Sequence, residues 1–165
     1  MGCWTCRLPM WERFRRFSVL DREARKLFFR AAALLPFVGL SLRIRGYKKT
    51  QAWLQKRLEN RSVTTLAAAA APGELVDKTC RMVRAAEHHG LMRSTCLEAS
   101  LALWYLLGRR NISSRIRIGV RRQAGKFEAH AWVEYEGRAL NQSEQLHRHY
   151  APFESEFDNL PAQKS

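Results

Sequence analysis

The sequence predicts an α+β chain, a helical half followed by an antiparallel β-meander. Apolar residues recur at three- and four-residue spacing between residues 74 and 108. Arg115-Ile116-Arg117-Ile118-Gly119-Val120 alternates strictly, and Gln123-Ala124-Gly125-Lys126 and Glu136-Gly137 then punctuate the chain as turns. With 165 residues, 46% of them apolar, there is enough to bury one core. Residues 1–60 are therefore read as a basic helical segment, and residues 61–165 as the core of the same single domain.

The helical half starts at Asp21, a plausible N-cap before Arg22-Glu23-Ala24-Arg25. The apolar run from Ala31 to Ile44 is interrupted by Pro36, which is expected to kink or end the helix, with Gly39 and Gly46 as further breaks. So interrupted, the run is too short for the roughly 20 residues a crossing needs. No transmembrane helix is expected, and a buried helix or a peripheral membrane contact fits instead. The alanine-rich stretch from Thr64 to Ala71 ends in a Pro72-Gly73 loop, and a helix starts near Glu74. Val76, Cys80, Val83 and Ala86 form its inner stripe, and His88-His89-Gly90 its last turn. Neighbouring histidines on a helix point about 100° apart, so this pair reads as helix-end charge rather than as metal ligands.

Charge and cysteines bound the partners. The chain has 29 Lys and Arg against 15 Asp and Glu, a net +14, and residues 1–60 hold 14 basic and 4 acidic side chains, +10 of that total. This reads as a solvated basic helical surface. The base-stacking aromatics and basic recognition helix of a nucleic-acid-binding protein are not evident, so no nucleic-acid partner is expected. No signal peptide precedes the four cysteines, which are read as reduced thiols of a cytoplasmic protein. Cys3 and Cys6 have half the spacing of a zinc site without a second pair, so no metal is expected, and Cys80 reads as a small buried hydrophobe.

The chemistry is carried by Ser94-Thr95-Cys96-Leu97-Glu98 and Glu128-Ala129-His130-Ala131-Trp132-Val133-Glu134. Thr95 as N-cap with Glu98 three residues later is a capping box, which puts Cys96 in the first turn. Free amides and the helix dipole stabilise a thiolate there. Leu97, Leu101, Trp104 and Leu107 then make an apolar helix that ends at Gly108 or Asn111. In the meander, Ile116, Ile118 and Val120 face the core. Phe127 to Tyr135 forms the second strand, with His130, Trp132 and Glu134 on one face and Ala129, Ala131 and Val133 on the other. Arg138 to Asn141 forms a short third strand. Cys96 is the candidate nucleophile and His130 its base, with Asn141 or Gln142 orienting the imidazole.

Cys, then His, then a polar residue is the chain order of papain-like and transglutaminase-like enzymes. More specifically, the sequence resembles the stand-alone leader peptidases of lasso peptide biosynthesis, which are transglutaminase-like cysteine proteases. The matching stretches are Arg30 to Pro36, Cys96 to Leu103, Ile116 to Val120, Phe127 to Glu134 with Gly137-Arg138, and Tyr150 to Glu154. The resemblance implies removal of a leader from a ribosomal precursor peptide. It also implies two partners, a small leader-recognition protein, for which the basic helices offer a docking surface, and a separate lasso cyclase. Where the family usually has an aspartate, this chain reads Asn141-Gln142, so Glu134 or Asp158 is a candidate substitute acid. No cofactor is expected, because no phosphate loop is present and any ATP dependence would come through a partner. Alternatives are a catalytically impaired peptide-binding scaffold and a basic nucleic-acid-binding protein.

Overall fold

A computed structural model describes residues 21–60, 71–89, 94–123, 126–141 and 151–152. The expectations for Cys3, Cys6, the alanine-rich stretch 64–70, Gly90, Gln142 and Asp158 lie outside the described residues. Among the described residues three helices precede the strands: α1 (Arg22–Glu59), α2 (Pro72–His89) and α3 (Cys96–Gly108). The strands are β1 (Arg115–Gln123), β2 (Lys126–Tyr135), β3 (Arg138–Ala139) and β4 (Ala151–Pro152), in the antiparallel order β3-β2-β1-β4. This is the expected α+β plan, with helices first and a small antiparallel sheet after them.

Helix α1 starts where expected, with the Asp21 carboxylate accepting from the Ala24 N–H at 2.7 Å. The Lys78 ammonium and that N–H hold the Asp21 carboxyl below its ordinary value. Its interior differs from the sequence reading. Pro36 neither kinks nor ends it, because Pro36 lies on the exposed side and removes one bond from an otherwise continuous ladder. The break falls at Gly46, whose φ of 73° a glycine adopts without steric cost. There the chain folds back on itself. Nine residues of straight helix would separate Ser41 and Thr50 by about 13 Å, yet their hydroxyls are 3.0 Å apart and buried. Farther from the corner, the rings of Phe37 and Trp53 lie 5.1 Å apart. The uninterrupted first arm also overturns the expectation of no segment long enough to span. One 18-residue window of α1 is long and apolar enough to cross a membrane by length and composition, and 33% of it is buried against the rest of the chain.

Helix α2 begins at Pro72 rather than near Glu74, since proline suits the first helical position, where its missing N–H has no helical partner. Val76, Cys80, Val83 and Ala86 are buried as the periodicity predicts. The sheet-proximal side of α2 is tied down by an Arg138–Asp77 ion pair at 2.7 Å and by Arg84 donating to the Leu140 carbonyl at 3.4 Å.

Helix α3 is the centre of the molecule. Residues 99 to 107 are all buried, and Leu101, Leu103 and Leu107 are fully enclosed between α1, α2 and the sheet. An apolar helix with no polar face is the pattern of a helix surrounded by protein. Asn111 in the left-handed region (φ 59°) turns the chain into β1, with Ile112 N–H bonding back to the Leu107 carbonyl at 3.1 Å. The β1–β2 register is continuous from Arg115↔Glu134 to Gln123↔Lys126. Ile116 and Val133 share the face that meets the helices. Ala131, Trp132 and Val133 are all buried, so the middle of β2 is enclosed on both faces. Glu136 and Gly137, both at positive φ, form the tight turn. The third strand is shorter than expected, two residues, because Asn141 leaves the ladder to make side-chain bonds.

Candidate active site

Cys96 is the first residue of α3, half-buried and a free thiol. The capping box that places it there is complete. The Glu98 N–H donates to the Thr95 hydroxyl at 3.3 Å, and the Thr95 N–H donates to the Glu98 carboxylate at 2.8 Å. The box engages the amides of Thr95 and Glu98, while those of Cys96 and Leu97 sit in the first turn, where no helical acceptor exists.

Two other elements hold this helix start. The Glu98 carboxylate lies against Gly39 of α1, where a Cβ would stand 2.9 Å from its Oε1. A glycine at residue 39 thus lets the first arm of α1 approach the cap closely. Before the cap, the Ser94 hydroxyl donates to Glu87 at the end of α2 at 3.1 Å. Burial holds the Glu87 carboxyl above its ordinary value, and the Ser94 bond works against that rise.

His130 lies in β2, directly paired with Gly119 of β1. Paired residues point their side chains to the same face, so the β1 residue directly opposite the imidazole brings no side chain of its own. Along the strand the ring is bracketed by Trp132, stacked at 6.5 Å between centroids, and by the Arg121–Glu128 ion pair at 2.6 Å. Its Nε2 atom is buried and makes no hydrogen bond, while the residue as a whole has other contacts. Burial, with the nearby Arg121 charge second, holds His130 below its ordinary value, so the neutral imidazole is favoured. A neutral ring near pH 7 is the form a general base requires.

Asn141 joins the two elements. Its Oδ1 accepts from the Val133 N–H at 2.8 Å, and its Nδ2 donates to the Ser100 hydroxyl at 2.8 Å. The amide orientation is fixed by chemistry, because a backbone N–H demands the oxygen. Ser100 is fully buried and one helical turn after Cys96, on the same side of α3. Val133 is three residues after His130. Asn141 thereby ties α3 to β2 at Val133, which lies three residues from His130 and so on the opposite face of that strand.

Asn141 was expected beside the imidazole, and its polar atoms instead hold Val133 and Ser100. Glu134 does not serve as a substitute acid. It lies four residues, about 13 Å of strand, beyond His130, and pairs with Arg117 at 3.5 Å. Ser100 and Glu87 escaped the sequence reading. The one available signal was a serine four residues after the cysteine in an otherwise apolar helix. Among the described residues no group of three His, Cys, Asp or Glu is placed to hold a metal ion.

A family model described as the transglutaminase-like superfamily matches residues 38–155, which includes Cys96, His130 and Asn141. The microcin J25-processing protein McjB of Escherichia coli is 43% identical over 54 residues, 33% of this chain and 25% of that protein. The chain thus matches about a quarter of the length of that curated relative. No solved structure matches.

Proposed function

The chain belongs to the transglutaminase-like superfamily, and from that premise we propose that it is a cysteine peptidase that removes the leader from a ribosomally made lasso precursor peptide. The observation that carries this reading is Cys96 as the first residue of a boxed, buried helix that Asn141 fastens to the His130 strand. The similarity to a microcin-processing protein supports the substrate class. A small leader-recognition protein would present the precursor, and a separate cyclase would take the released core peptide.

In the proposed reaction His130 takes the Cys96 proton, and the thiolate attacks the last carbonyl carbon of the leader. The oxyanion of the tetrahedral intermediate faces the Cys96 backbone amide at the helix start. Collapse breaks the C–N bond, the His130 imidazolium protonates the departing core amine, and a thioester remains on Cys96. Water deprotonated by His130 hydrolyses that thioester, which releases the leader and restores the thiol. Asn141 is a positioning residue in this scheme. It holds helix and strand in register, and the full stabilisation of imidazolium that a carboxylate supplies is absent from its chemistry.

A second reading, a peptide-binding scaffold without turnover, is favoured by one observation, the engagement of both Asn141 polar groups away from the imidazole. One experiment separates the two. The precursor peptide, the leader-recognition protein and this protein are incubated and the products weighed by mass spectrometry, with Cys96→Ala and His130→Ala alongside. Cleavage by wild type alone supports the peptidase. Peptide retained uncut by all three overturns it in favour of the scaffold.

A further inference from the structure

The first arm of α1 presents two opposite faces. At about 100° per residue, Ala31, Leu35 and Val38 fall within one arc of about 60° and are all buried. Ala33, Phe37, Leu40 and Ile44 fall within an opposite arc of similar width and are all exposed. Exposure rises toward the Gly46 corner, from 43% at Phe37 through 58% at Leu40 to 71% at Ile44. Exposed large apolar side chains in a row mark a contact surface rather than chance. The surface continues onto the second arm, where Phe37 packs on Trp53 and the Arg57 guanidinium lies 4.2 Å from the Trp53 ring centre.

Charge identifies the occupant. Between Glu23 and Glu59 the sequence has nine Lys and Arg and no acid. Arg43, Arg45 and Lys49, all exposed, flank Ile44 at the corner. A protein partner is usually met with charges of both signs arranged in register. Here, among the described residues, one sign surrounds protruding Phe, Leu and Ile side chains at a helical corner. A fluid anionic interface needs no shape match. It takes the apolar tips to the acyl boundary and the cations to the headgroups.

We propose that the Gly46 corner of α1 binds the surface of an anionic lipid bilayer peripherally, with Phe37, Leu40 and Ile44 inserted and Arg43, Arg45 and Lys49 on the phosphates. The contact is independent of the peptidase reading, and Cys96→Ala binds as wild type does. The test is flotation with phosphatidylcholine vesicles, with and without one third phosphatidylglycerol, at physiological and at high salt. Wild type floats with the anionic vesicles, stays behind with the neutral ones, and is released by high salt. The double variant Leu40→Glu, Ile44→Glu loses flotation. Arg43→Ala with Lys49→Ala loses about twenty-five-fold in partition, from roughly fivefold per cation. Melting temperature and Cys96 alkylation are unchanged in both variants, which separates lost binding from lost folding. The proposal is overturned by absence of flotation, by equal flotation on neutral lipid, by variants that float like wild type, or by retention through high salt and carbonate, which would mark a spanning helix. It is also overturned if wild type never floats while the variants lose a purified acidic protein partner.

Discussion

Cys80 and Cys96 sit on neighbouring helices in opposite surroundings. Cys80 is in the middle of α2, 9% exposed and packed in the main core, and burial pushes its thiol up to about 11. It remains a neutral side chain that fills space. Cys96 begins α3, half-buried, with the first-turn amides around it and a capping box fixing the turn. Helix position and burial separate a packing thiol from the one proposed to do chemistry.

The largest effect should come from exchanging the two roles. Cys96→Ala abolishes leader cleavage, with a loss of about a thousandfold or more, while Cys80→Ala keeps turnover and lowers stability by about 1 kcal/mol. Precursor cleavage assays and denaturant melts of both variants check this. If Cys80→Ala alone removes cleavage, the comparison is reversed.

Asn141→Ala comes next. It leaves the Val133 N–H and the buried Ser100 hydroxyl without their partner, which costs about 1–3 kcal/mol and slows turnover by loosening helix against strand. Asn141→Asp keeps an acceptor for Val133 but removes the donor to Ser100. A carboxylate that recovers the melting midpoint only in part, while raising the rate, would place it beside the imidazole as well.

A smaller loss follows at the cap. Thr95→Ala costs about 1 kcal/mol, and Gly39→Ala should cost a similar amount. Its methyl would stand 2.9 Å from Glu98 Oε1 and push that carboxylate off the Thr95 amide, against the gain in helix propensity an alanine brings. Both variants should slow Cys96 alkylation in peptide mapping and leave Cys80 unlabelled.

The smallest effect is on pH dependence. His130 titrates below its ordinary value of 6.5, so the unfolded chain takes up that proton first as pH falls. The stabilisation from this group is therefore complete above pH 6.5 and lost progressively as pH falls toward and through the folded value. The denaturation midpoint should drop over that acidic window, and His130→Ala should flatten the drop.

Local signals were legible in the sequence and long-range ones were not. The box of Thr95 and Glu98 depends on residues three apart and stands as read, and of the alternating β1 residues Ile116 packs on the main core while Ile118 and Val120 are half-buried. Of the three breaks the sequence offers in α1, Pro36, Gly39 and Gly46, it does not single out Gly46 as the corner, because each looks like a break. Only the fold puts Pro36 on an exposed side that tolerates a missing bond and brings Thr50 back to Ser41. Asn141 was read toward His130 from its place at the end of the adjacent strand, and its side chain instead reaches Ser100, 41 residues away in the chain. The approach of Gly39 to Glu98 spans 59 residues, from 39 to 98, and no local pattern announces it.

The most direct test of the central claim is the rate of Cys96 alkylation by iodoacetamide, followed by peptide mapping in wild type and in His130→Ala. The account predicts that Cys96 is modified well before Cys80, and that His130→Ala slows Cys96 at least tenfold without changing the melting temperature. Cys96 reacting at the rate of an ordinary exposed thiol, with or without His130, would contradict it.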